Sequence, residues 1–119
     1  MREDHYEDLL SLQLRMNKQT WSALQRHGVD EQTPLRLDFS YNAPSRSSAE
    51  ELRSFLAQET DYDVRVESDG WLLSKRWRLE GTTQSTTLSQ QTLDEWVTWM
   101  VIAGKENGGC DFDGWGTPV

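Results

Sequence analysis

Cysteine, histidine and long apolar runs are scarce in this sequence. A single cysteine, Cys110, excludes an intramolecular disulfide and predicts a reducing, cytoplasmic setting. No apolar stretch follows the charged start Met1–His5, so we expect no secretory signal. The longest nearly apolar run, Trp96–Ala103, is far shorter than the ~20 residues that a membrane helix needs. We therefore expect a cytoplasmic protein that does not act at a membrane.

Positive charge is also scarce. The chain has 12 Lys and Arg against 20 Asp and Glu, a net charge of −8, and a pI of about 4.6. Such a chain repels nucleic-acid phosphates and anionic lipids and attracts basic proteins. We therefore expect no direct nucleic-acid partner, and instead a protein partner with a basic segment. The alternative is that the charge serves solubility alone.

The residue types that catalysis and metal binding need do not fall together. His5 and His27 lie at opposite ends of one predicted helix, about 30 Å apart at 1.5 Å per residue, so they cannot share a site. One cysteine and two distant histidines do not make a zinc site. Asp111 and Asp113, beside Gly114, lack the further acids and the closing Glu of a calcium loop. The sequence predicts no enzyme, no metal and no cofactor.

The sequence does contain a regular succession of helix and strand patterns. Apolar residues at helical spacing predict a first helix over about residues 4–27. Alternation of period two predicts a strand over Leu35–Tyr41. A second helix is expected to begin at a capping box headed by Ser47 or Ser48 and to end near Glu59.

The same patterns continue through the second half of the chain. Tyr62–Val66 alternates as a second strand, and Asp69-Gly70 predicts a hairpin turn into a third strand from Trp71 to about Glu80. A last helix is expected to be capped by Ser89 or the nearby Thr87.

A short strand, Cys110–Asp113, completes the order α-β-α-β-β-α-β. Without the first helix, this order is the split β-α-β of ferredoxin-like α+β folds. Right-handed crossovers place the two later helices on one face of a four-stranded antiparallel sheet. We expect a single domain over residues 1–119, with an N-terminal helix over about 4–27 and a core over about 34–115.

The end of the chain carries its most specific motif, in which Asp113, Gly114, Trp115 and Gly116 follow Phe112. Glycines on both sides of a Trp predict a tight turn that fixes one indole. This segment resembles the end of the bacterial family called regulator of ribonuclease E activity B (RraB), and the preceding order of elements is compatible with that family. The resemblance implies a ferredoxin-like fold. It also implies a non-enzymatic protein that binds the endoribonuclease RNase E outside its catalytic chemistry and reduces RNA cleavage.

Acids near the predicted hairpin and near the end of the chain are our candidates for contact with basic groups of a partner. Trp115 would anchor the partner if its indole is exposed, because Trp is common at binding hot spots. The alternative is that Trp115 plugs the end of the core. The candidate protein-binding residues are Glu59, Asp61, Asp63, Glu67, Asp69, Asp111, Asp113 and Trp115.

Two other functions stay open at this point. One is a small-molecule-binding ferredoxin-like domain with a pocket beside Trp71 and Trp77. The other is an immunity-type protein that neutralises a basic toxin. A sheet that stacks RNA bases on its aromatics is disfavoured, because Arg76 and Arg78 alternate away from Trp77 and the chain is acidic.

Overall fold

The computed structural model describes residues 2–68 and 77–118 of the chain. The predicted order of elements and the α+β class are confirmed, and no described helix is long and apolar enough to cross a lipid bilayer. The predicted turn at Asp69-Gly70 and the strand start at Trp71 lie outside the described residues. The elements are α1 (Arg2–Arg26), β1 (Asp38–Ala43), α2 (Arg46–Glu59), β2 (Asp63–Ser68), β3 (Trp77–Thr82), α3 (Gln90–Glu106) and β4 (Asp111–Gly116).

The four strands form one antiparallel sheet in the order β2-β3-β1-β4. This is the order that a split β-α-β fold requires. Helices α2 and α3 share one core with a single face of the sheet, as the right-handed crossovers predict. The residues that meet in this core include Phe39, Tyr41, Leu52, Leu56, Leu79, Val97, Met100, Val101 and Phe112.

The first strand lies later in the chain than its apolar pattern predicts. Leu35 and Leu37 are buried as the alternation implies, but the ladder with β3 runs only from Asp38 to Ala43. Leu35 instead makes an isolated bridge to Thr86. Alternation therefore marks which side chains are buried, whereas the reach of the neighbouring strand determines where pairing begins and ends.

The last strand is longer than predicted, because the glycine-rich motif is part of it. The pairing of β1 with β4 shifts register so that Tyr41 faces Phe112 and Ser40 faces Gly114. Asp113 is the extra residue of this β-bulge. Gly114 has a φ of +142°, a conformation that L side chains rarely adopt, so a glycine belongs at the bulge.

The helix caps confirm one prediction and correct another. Ser89 caps α3, where it forms a reciprocal capping box with Thr92. The prediction of Ser47 or Ser48 for α2 is wrong: Ser45 is the cap, and its Oγ accepts from the Ser48 backbone N–H at 3.1 Å. Ser47 and Ser48 lie inside the first turn, where their backbone is already helical.

The core holds Tyr41 directly against the backbone of α3. The Tyr41 hydroxyl donates to the Met100 carbonyl oxygen at 2.6 Å, and burial raises the pKa of Tyr41 well above its usual value. A Cβ added at Gly104 would lie 2.6 Å from Tyr41 Cε2 and 2.7 Å from the Cys110 carbonyl oxygen. The ring reaches the helix only because position 104 has no side chain.

Helix α1 packs against α3 and contacts β4 through two buried amides. Gln13 Nε2 donates to the Phe112 carbonyl oxygen at 3.2 Å. Asn17, which is fully buried, accepts from Trp115 Nε1 at 2.7 Å and donates to Asp94 Oδ1 at 3.1 Å. The hydrogen bond from Gln13 occupies a backbone carbonyl of an edge strand and so obstructs pairing at that point. Among the described residues, no element pairs with the opposite edge of the sheet, β2.

We expect Gly104→Ala to lower the free energy of unfolding by about 1–3 kcal/mol, because overpacking outweighs the better helix propensity of alanine. Urea unfolding followed by far-UV circular dichroism measures this. Gly116→Ala is the matched control, since a Cβ there meets nothing within 4 Å. Equal stability of the Gly104→Ala variant and the wild type would show that the space between position 104 and Tyr41 accommodates a methyl group.

We expect Asn17→Leu to lower the free energy of unfolding by roughly 1–3 kcal/mol, since the Trp115 indole N–H loses its acceptor inside the protein. Gln19→Leu, on an exposed position of the same helix, should change stability little. Urea titration followed by Trp fluorescence compares the two. A loss of stability no larger for Asn17→Leu than for Gln19→Leu contradicts the prediction.

Candidate functional site

The face of the sheet turned away from α2 and α3 is polar, and we call it the open sheet face. Val64, Val66 and Leu79 pack toward the helices, so the residues between them point the other way. The ladder aligns the outward residues in rows, and one row is Asp63, Thr82 and Asp38. Apart from Asp111, which Lys105 neutralises, five carboxylates and two guanidinium groups of the strands lie on this face, so together they carry three net negative charges. These charged residues are Asp38, Asp63, Glu67, Glu80, Asp113, Arg65 and Arg78.

A chain of ion pairs crosses the open sheet face. Arg65 pairs with Glu67 at 2.6 Å and with Glu80 at 2.9 Å. Arg78 pairs with Glu80 at 3.3 Å and with Asp113 at 3.7 Å. Each exposed pair contributes only ~0.2–1 kcal/mol, so the network mainly fixes the directions of these side chains.

Two carboxylates on this face remain outside the network. Asp38 Oδ1 accepts from the Thr82 hydroxyl at 2.9 Å, and neither Asp38 nor Asp63 forms an ion pair with a described residue. They lie in one row with β3 between them, about 10 Å apart at two strand spacings. Basic groups of a partner would meet these two carboxylates without first breaking an ion pair within the described part of the chain.

The structure brings together some of the predicted acids and separates others. Asp63, Glu67 and Asp113 lie on the open sheet face. Glu59 at the end of α2 and Asp61 in the following connection are exposed beside the start of β2.

Of the remaining predicted acids, Asp111 lies in the last row of the open sheet face, opposite Asn42. Asp111 forms an ion pair with Lys105 of α3, which neutralises it locally. Asp69 lies outside the described residues.

Asp38 and Glu80 belong to the acidic face although the sequence interpretation did not select them. The alternation of polar and apolar residues along the strands indicates that both acids face away from the core. Asp38 precedes the buried Phe39, and Glu80 follows the buried Leu79. The predicted acids lie near turns and near the end of the chain, whereas Asp38 and Glu80 lie on the polar sides of β1 and β3.

Trp115 has a packing role at the junction of α1 and β4. Its side chain is half-buried and packs against the core between the sheet and the helices. It also packs against a second buried cluster that includes Trp21 of α1 and Leu93 of α3, and its Nε1 donates to Asn17. This geometry favours the alternative in which Trp115 closes the end of the core over the one in which its exposed indole anchors a partner. A direct contact between Trp115 and a partner stays a prediction.

The described side chains offer no activated nucleophile at Cys110. Its thiol is fully buried, and that burial raises its pKa to about 11, so the thiol stays protonated near neutral pH. No three His, Cys, Asp or Glu side chains of the described chain are grouped to hold a metal ion. Trp77 packs against the core, with the Arg46 guanidinium 5.7 Å from its ring centroid, while Trp71 lies outside the described residues.

A cleft of about 580 Å³ separates α1 from the open sheet face. Gln13, Met16 and Thr20 of α1 form one wall. The floor is formed by the sheet and by the motif residues Asp113, Gly114, Trp115 and Gly116. The sheet residues of the floor include Asp38, Ser40, Glu80 and Thr82 and also the two arginines Arg65 and Arg78.

Comparison with known proteins places this arrangement in a family. A family model described as "Regulator of ribonuclease activity B" matches residues 14–117, from within α1 to just past β4. A search of curated proteins finds no match. The family match covers nearly all of the 119 residues and confirms the resemblance seen in the terminal motif. The chain therefore belongs to the RraB family of regulators of ribonuclease activity.

Proposed function

We propose that this chain is a non-enzymatic regulator that inhibits the endoribonuclease RNase E by binding a basic segment of that enzyme. Membership of a family of ribonuclease regulators supports the regulatory role. The observation that carries the proposal is the open sheet face, where carboxylates outnumber guanidinium groups by five to two. Complementary charge of this kind steers a basic partner to the surface and selects it over acidic ones.

The spacing of Asp38 and Asp63 defines what the face recognises. Cations about 10 Å apart would meet both carboxylates, which is the distance between residues three apart in an extended segment or seven apart in a helix. Asp113 and Glu67 add negative charge at the other end of the face. A segment with regularly spaced Lys or Arg side chains fits this pattern.

Inhibition then needs no chemistry from this chain. Basic segments of a ribonuclease hold RNA through its phosphates. An acidic protein that covers such a segment competes with RNA for the same cations, so cleavage falls although the catalytic centre is untouched. The competition weakens as salt screens the charges.

The two alternative functions differ from this proposal in observable ways. A small-molecule domain needs an open aromatic pocket, whereas Trp77 is packed against the core. An immunity-type protein would use the same acidic face but a different basic partner. Identification of the partner therefore separates it from a ribonuclease inhibitor.

We expect the full-length chain to slow RNA cleavage by purified RNase E at low salt, and to lose this effect as salt rises. The double variant Asp38→Lys, Asp63→Lys should weaken binding by on the order of 1 kcal/mol for each reversal. Cleavage of a labelled RNA at increasing inhibitor concentrations, repeated along a salt series, measures both effects.

The double variant Glu31→Lys, Glu106→Lys is the matched control, because both side chains are exposed and neither lies on the open sheet face. It makes the same change in net charge and should inhibit nearly as well as the wild type. Inhibition that is indifferent to salt, or equal weakening by both double variants, contradicts the proposed surface. If RNase E is unaffected and the chain retains another basic protein, the RNase E assignment is wrong.

A further inference from the structure

We infer that the cleft between α1 and the open sheet face is the docking site of the partner's basic segment, and that it receives an apolar side chain of that segment as well as its cations. The inference rests on the proposed function, because it takes the occupant to be the same basic segment. It adds the location of the binding site and an apolar contact, neither of which follows from the acidity of the chain.

The wall of the cleft carries an exposed apolar strip. Among the described residues, the exposed large apolar side chains are Leu12, Met16 and Trp99, which are 45%, 43% and 38% exposed. Leu12 and Met16 are one helical turn apart, so they are neighbours on the surface of α1. Met16 lines the cleft itself. Together they form a small apolar surface at the rim of the cleft, which an apolar side chain of a bound segment could cover.

The floor of the cleft is low because two residues there have no side chains. Gly114 pairs with Ser40 and Gly116 pairs with Asp38, so side chains at these positions would stand on the open sheet face. A Cβ at either glycine would meet nothing within 4 Å. The φ of +142° accounts for Gly114, but neither a positive φ nor a close contact requires a glycine at 116. The bare backbone at Gly116 keeps the cleft open.

The charges of the cleft select a basic protein segment as the occupant. Asp38 on the floor has no ion-pair partner among the described residues, whereas Glu80 and Asp113 share Arg78. A neutral segment would cover Asp38 without supplying a cation, which is unfavourable. Three carboxylates and two guanidinium groups line the cleft, so RNA phosphates would also meet a net negative surface there. A segment that has Lys or Arg on one side and a long apolar residue on the other satisfies both Asp38 and the Leu12–Met16 strip.

This arrangement divides binding into two parts that respond differently to salt. The contacts with Asp38 and its neighbours weaken as ionic strength rises. The contact with Leu12 and Met16 does not, since burial of apolar surface is insensitive to screening. If the acidic face alone bound the segment, its affinity would vanish at high salt. Binding in the cleft should instead retain a measurable affinity at high salt.

Calorimetric titration of the full chain with two synthetic peptides tests this inference. One peptide repeats Lys and Leu at helical spacing, and the other has Ser in place of each Leu. The Lys–Leu peptide should bind more tightly and keep measurable affinity at high salt. The double variant Leu12→Ser, Met16→Ser should bind the Lys–Leu peptide about tenfold more weakly, and it should bind the Lys–Ser peptide as the wild type does.

Gly116→Tyr provides an independent variant, because it fills the cleft with a residue that favours strands. It should weaken binding of the Lys–Leu peptide by a similar factor. Ala57→Tyr, on an exposed position of α2, is its matched control. Trp99→Ser is the control for the apolar strip, since Trp99 lies on α3, in the helix layer on the other side of the sheet. Circular dichroism verifies that each variant is folded.

Equal affinity for the two peptides, absence of binding, or weakening by Trp99→Ser and not by the cleft variants overturns the inference. The same variants in the RNase E cleavage assay separate it from the proposed function. If the wild type and the cleft variants inhibit equally, the cleft is not the docking site but the function stands. If the wild type binds the Lys–Leu peptide in the cleft and does not inhibit RNase E, the cleft stands and the RNase E assignment fails.

Discussion

The buried side chain of Asn17 links the first helix to two other elements, beside the apolar contacts that Trp21 and Leu24 make with Leu93 and its neighbours. Its amide oxygen accepts from the Trp115 indole and its amide nitrogen donates to Asp94, so one residue links α1, β4 and α3. Hydrogen bonds are directional, and together with Gln13 they fix the rotation of α1 about its own axis. That rotation leaves Leu12 and Met16 in solvent beside the sheet. A purely apolar attachment would favour turning such side chains inward, and the cleft would lose its apolar wall.

The sheet combines two surfaces of opposite character. One side is a core in which Tyr41 packs against a helix backbone at Gly104, and the other is held in place by Arg65 and Arg78 among carboxylates. The arginines keep the acidic side chains from repelling one another without cancelling their charge. The open sheet face therefore keeps a fixed pattern of charge before any partner arrives, and less conformational entropy is lost on binding.

The order of elements and the fold class could be predicted from the sequence because they depend on local periodicity. Phe39 and Tyr41 alternate with polar residues, and Ser89 begins a regular helix. The ends of strands depend on partners that the sequence does not reveal, so β1 and β4 were misplaced by a few residues. The burial of Asn17 and Gln13 could not be predicted, since polar residues in a helix ordinarily face water. The candidate site was predicted in part: Asp63, Glu67 and Asp113 share a face through strand alternation, whereas the pairing of Asp111 with Lys105 depends on how α3 meets β4.

The contact of Gln13 with β4 also has a consequence for self-assembly. Because the Gln13 side chain occupies the Phe112 carbonyl, a strand that paired with β4 would have to displace this hydrogen bond, whereas no described element obstructs pairing beside β2. Two copies joined through their β2 strands would each present the obstructed β4 edge outward, which disfavours growth beyond a pair. The segment 59–67, with four acids and one arginine, opposes even that first step by like-charge repulsion. The obstructed edge and the like charges together disfavour open-ended polymerisation of the folded chain.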